Sequence, residues 1–141
     1  MNTATRLSLS IALALGLAAC TQQTPEEARQ DAAEDIAEAR QDARETTAEA
    51  RADVRDAATE GPRETRRATA DAVEDTAQAR YDVEIAEIDG RYDVAKAECA
   101  QIENRDERRA CDDRAEAERD AAKEAAERRK EAAEARADRI D

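Results

Sequence analysis

Three cysteines, Cys20, Cys99 and Cys111, are the residues of this chain best suited to covalent chemistry. A thiol reacts as its thiolate, and enzymes usually make one by placing a histidine beside it. The sequence has no histidine, no serine after Ser10, and only three glycines, none of them in a phosphate-cradling loop. Neither a Ser–His nor a Cys–His pair can be assembled, so the chain is expected not to be an enzyme. Asp112, Glu116, Asp120 and Glu124 recur at i, i+4 spacing and could attract divalent cations loosely. Arg114, Arg119 and Lys123 are interleaved with them, which predicts a solvated charged face with no metal and no cofactor.

The surroundings of Cys20 assign it a different use. Met1 to Arg6 carries one positive charge and no acid, and Leu7 to Leu17 is apolar apart from Ser8 and Ser10. That is the profile of a secretory signal, and the apolar run is about half of the ~20 residues that cross a bilayer. Leu17-Ala18-Ala19-Cys20 resembles the lipobox of bacterial lipoproteins. The resemblance implies cleavage between Ala19 and Cys20, lipidation of Cys20, and an envelope location. With Thr21 rather than Asp after the cysteine, it also implies the outer membrane, facing the periplasm.

The net charge is −13, and loss of residues 1–19 would remove only Arg6 among the charged groups. So acidic a chain repels nucleic acid, and no nucleic-acid partner is expected. No small-molecule substrate is expected either. After Cys20 the hydrophobic residues are mostly alanine, with no Leu, Phe, Trp or Met. Such a composition cannot fill a globular core. Alanine, glutamate, arginine and lysine are strong helix formers, so the expected class is all-α, built of elongated helices.

The organisation follows from caps and periods. Residues 1–19 read as the signal peptide and 20–24 as a lipidated tether. Thr24-Pro25-Glu26-Glu27 then writes a helix start, with Glu27 placed for a capping box. From Ala28 the chain repeats every eleven residues, ARQDAAEDIAE, ARQDARETTAE and ARADVRDAATE, with weaker copies to residue 82. The repeat runs an apolar stripe through Ala28, Ala32, Ile36, Ala39, Ala43, Thr47, Ala50, Val54 and Ala58. These Ala-rich repeats are similar to those of late embryogenesis abundant proteins. Gly61-Pro62 ends helix 25–60 in a break or sharp kink, since proline lacks the amide hydrogen a continuing helix needs.

Over 62–103 the packing signal strengthens. Tyr81, Ile85, Ile88, Tyr92, Ala95, Cys99 and Ile102 step by 4, 3, 4, 3, 4, 3, a heptad seam. In the same phase beyond Ile102 every position is charged, so the helix stops or turns before Cys111. In one unbroken helix Cys99 and Cys111 would stand ~18 Å apart, too far to bond. Either the chain reverses near Arg105, with Asn104 capping a returning helix over 106–140 and a Cys99–Cys111 disulfide closing an antiparallel hairpin, or a continuous coiled coil crosslinks neighbouring chains. Reversal would set Ala95 near Ala115 and Ile88 near Ala122. Y-x-x-A-K-x-x-C from Tyr92 and C-x-x-x-A from Cys111 also resemble small Ala-rich, two-cysteine envelope proteins of unknown activity.

The function expected from these readings is that of a membrane-anchored helical spacer, shield or adaptor, a stiff helix that projects from the membrane and presents a disulfide-stapled hairpin. Its expected partners are the membrane, through the lipid, and an envelope protein or a second copy through the helices. Two other readings remain open: a desiccation protectant, and a binding module for a basic envelope partner or a divalent cation.

Overall fold

A computed structural model describes residues 23–140. Its helices are α1 (Pro25–Glu60), α2 (Pro62–Cys99) and α3 (Arg105–Ala137), and the all-α class holds. The expected signal peptide, with Ala19 and Cys20, and the first residues of the expected tether lie outside the described residues.

Helix α1 starts on a complete capping box. The Glu27 amide donates to the Thr24 hydroxyl at 3.2 Å, and the Thr24 amide donates to the Glu27 carboxylate at 2.8 Å. Two of the amides left over at a helix start are thereby satisfied. The donation by Thr24 also holds the Glu27 carboxyl below its ordinary pKa.

At Gly61 the helix breaks rather than kinks, and the chain reverses direction through one residue. Gly61 takes φ 152°, ψ 175°, a region open essentially to glycine alone. Its amide closes α1 on the Ala57 carbonyl, and its own carbonyl accepts from Thr65 to open α2. Pro62, first in the new helix, needs no amide partner there. Reversal wins over a kink because it gives the alanine stripe of α1 a surface to pack on. Arg29 reaches Glu98 at 2.6 Å and Arg40 reaches Glu87 at 2.7 Å, so the two helices run antiparallel along their whole length.

The second reversal needs neither glycine nor proline. After Cys99, Gln101 and Ile102 donate to carbonyls three residues back, which tightens the last turn. Asn104 then caps α3, its side-chain oxygen accepting from Asp106 and Glu107 at 2.9 and 3.2 Å. Helix α2 therefore ends at Cys99 rather than at 103. Lys96–Asp112, Asp89–Arg119 and Glu84–Arg129 pair in antiparallel order down α3.

Helix α2 is the middle of an open layer: α1 and α3 both pack on it, and among the described residues no Cα of one outer helix comes within 8 Å of the other. Among the described residues the buried set is nearly all alanine, from Ala28 to Ala137, with Ile88 and Cys99 the only larger members. Small side chains let the helix axes approach closely in place of a thick core.

Candidate functional site

Because α2 has a neighbour on each side, its circumference divides into four stripes. Tyr81, Ile85, Ile88, Tyr92, Ala95 and Cys99 face α3, all of them buried or half-buried. Ile102, the last seam position of the sequence, sits half-buried in the turn rather than on the helix. Opposite lies Gly90, where an added Cβ would stand 2.7 Å from the Ala32 Cβ. Ala79, Val83 and Ala97 share its phase and are also withdrawn from solvent.

The two remaining stripes are open to solvent and differ in charge. One carries Asp71, Asp75, Asp82 and Asp93, all exposed. The other carries Arg66, Thr69, Val73, Thr76, Arg80, Glu84, Glu87, Arg91 and Val94, at three- and four-residue steps, and each of these lines a concavity. A trough therefore runs along one side of the layer. Arg29 and Arg40 of α1 flank it on one side, and Arg129, Lys130 and Arg136 of α3 on the other. Arg29 and Arg40 are one eleven-residue repeat apart, so the repeat sets cations along this edge as well as alanines along the packing stripe.

A cluster of one carboxylate and two cations joins α2 to α3. Asp89 accepts from Arg119 Nε at 2.8 Å and from Lys123 Nζ at 2.9 Å. Burial alone would raise the Asp89 pKa, but the hydrogen bonds and charges of Lys123 and Arg119 outweigh it and hold the carboxyl below its ordinary value. The Arg119 guanidinium also lies 4.7 Å from the centre of the Tyr92 ring, where the negative ring face attracts it. Arg129 donates to both carboxylate oxygens of Glu84, from Nη2 to Oε2 at 2.6 Å and from Nε to Oε1 at 3.3 Å. Lys130 stands 5.3 Å from the Tyr81 ring centre, and hydrogen bonding to Glu127 raises the pKa of the Tyr81 phenol.

Cys99 and Cys111 are paired at disulfide distance, their Cα atoms 5.6 Å apart. Ala95 and Ala115, and Ile88 and Ala122, line one small hollow beside them. The ion pair of Arg29 with Glu98 brings the start of α1 next to this end of the molecule. The cysteines thus stand beside the first turns of α1, at the end of the layer away from Gly61. Asp112 is drawn to Lys96 at 2.7 Å and Glu124 lies 3.6 Å from Arg128, while Glu116 and Asp120 are exposed. No cluster of metal-ligating side chains occurs among the described residues.

Sequence reasoning missed the trough and the docking face for α1. Gly90 was the available signal, a glycine inside a strong helix being a frequent mark of close approach. Asp89 carried no such mark, since one more aspartate among so many charges gains meaning only when α3 faces it. No family model, curated protein or solved structure matches this chain. No helix among the described residues is long and apolar enough to cross a membrane.

Proposed function

We propose that this chain is a non-enzymatic bacterial lipoprotein, tethered through Cys20 to the outer membrane and acting on its periplasmic side as a helical spacer or adaptor. The carrying observation is the Leu17-Ala18-Ala19-Cys20 motif set five residues before a helix that begins at Pro25 on a full capping box. Residues 20–24 span at most ~17 Å when extended, so a lipid at Cys20 keeps the first turn of α1 close to the bilayer.

That attachment orients the rest. The disulfide end, beside the start of α1, faces the membrane, and the Gly61 turn with the carboxy end of α3 points away. Helices of 36, 38 and 33 residues lying side by side give a reach of ~55 Å, one helix length. The reading is thus of a short, stiff, hydrated post rather than a long rod. Its outward faces are charged, and its length resists compression because three helices share it.

Mass spectrometry of the chain extracted from envelopes tests the anchor. The expected result is an amino-terminal peptide that begins at Cys20 and carries a diacylglyceryl mass, together with loss of labelled fatty acid incorporation in Cys20→Ser. An unmodified Cys20, or equal incorporation in the variant, overturns it.

A further inference from the structure

We propose that the cleft between the first half of α2 and the last half of α3 binds a free single-chain anionic amphiphile, its acid group held by Arg80 and Arg136. The alkyl chain lies on Val73, Ala77 and Ala133.

The cleft measures about 580 Å³, within the ~300–1,000 Å³ range of small-molecule sites. It is a local property of the α2–α3 interface, since the hollow around Ile88 and Tyr92 near the disulfide is only about 90 Å³. The cause lies in side-chain size. Near the disulfide, Ile88 and Tyr92 fill the space between the helices. Toward the Gly61 end, alanine and threonine leave it open, and apolar atoms make up most of its surface.

Its charge opposes that of the chain. Arg80, Arg129, Lys130 and Arg136 line it against one acid, Glu84, in a protein of net charge −13. Arg129 is occupied by Glu84, and Lys130 is engaged with Tyr81 and with Glu134 at 3.6 Å. Among the described residues Arg80 and Arg136 make no ion pair, and they come from opposite helices. A carboxylate or phosphate monoester would give both a partner and add a bridge where the interface has least packing. A long acidic helix fits less well, because Arg29 and Arg40 farther along the trough are already taken by Glu98 and Glu87.

The choice of a free amphiphile over bilayer lipid rests on the anchored reading. Arg80 lies ~27 Å along α2 from Glu98, the residue beside the start of α1, so the cleft stands clear of a membrane to which Cys20 is fixed.

The test uses the full chain in vesicles of neutral phosphatidylcholine, with a photoactivatable dodecanoate as probe. The matching alcohol and a photoactivatable phosphatidylglycerol form separate arms. Saturable labelling by the acid within residues 69–81 and 126–136 is expected, with little by the alcohol. It should fall at least tenfold in Arg80→Glu/Arg136→Glu and in Ala133→Trp, which fills the cleft without changing its charge. Circular dichroism should show both variants helical. Absence of saturable labelling there, equal labelling by the alcohol, or indifference to both variants overturns the site. Labelling by the phosphatidylglycerol probe in place of the acid overturns the free source. The mass of the Cys20 peptide, read on the same sample, reports separately on the anchor.

Discussion

At the scale of single residues, the chain turns charge into specificity at a few points and leaves most charges solvated. Asp89 is such a point: two cations from α3 converge on one carboxylate, and one of them also lies over Tyr92. Asp89→Asn is expected to lower stability by about 1–2 kcal/mol, because two partly exposed pairs of ordinary strength are lost together. A double-mutant cycle with Arg119→Ala, read by urea unfolding, should show coupling, and additive losses would refute the clamp. The pH dependence follows from direction alone. Asp89 and Glu27 both have folded pKa values below their ordinary ones. Their contribution is therefore complete above the ordinary carboxylate range and is lost as pH falls through the lowered folded values. Melting temperature should hold through neutral and mildly acidic pH and drop only in strong acid, less steeply in Asp89→Asn.

At the scale of elements, the alanine stripe of α1 matters because α2 offers it a close surface. Eight of its nine positions, from Ala28 to Val54, are buried or half-buried, and Ala58 alone is exposed. Helix α1 has few large apolar side chains, so its hold on α2 depends on short distance, and at Gly90 the approach is close enough that an added Cβ would stand 2.7 Å from the Ala32 Cβ. Gly90→Leu is expected to cost about 1–3 kcal/mol, the usual penalty of overfilling a packed interface, despite leucine's better helix propensity. The loss should be directional. Amide exchange in α1 should quicken while α3, on the opposite side of α2, keeps its protection. Equal loosening of both outer helices would argue against independent packing on α2.

At the scale of the whole molecule, an open layer of alanine-faced helices gains little from apolar burial, which weighs the crosslink more heavily. Cys99 and Cys111 are twelve residues apart, and closing a loop of that size is worth about 2–4 kcal/mol. Cys99→Ala/Cys111→Ala should lower the melting temperature markedly, and reductant should reproduce the loss in the native chain but not in the variant. Because the pair lies within one chain, non-reducing electrophoresis should show a monomer. A ladder of dimers would mean that the cysteines join neighbouring chains instead.

Local chemistry made much of this legible in the sequence. Thr24 to Glu27 wrote the first cap, Gly61-Pro62 marked the end of α1, Asn104 marked the start of α3, and the seam from Tyr81 to Cys99 named the face that α3 covers. Each is a contact between residues near in sequence or a period along one helix, so each could be read without knowing what lay opposite. Tertiary structure decided whether Gly61 kinks or reverses, because a reversal forgoes the backbone hydrogen bonds that a continuing helix would make across the junction and is offset only when α1 gains a surface to pack on. It decided which of many aspartates matters, since Asp89 becomes a clamp only when Arg119 and Lys123 arrive from another helix. The basic trough belongs to the same class: arginines scattered over three helices acquire a common side only after two reversals bring those helices into one layer.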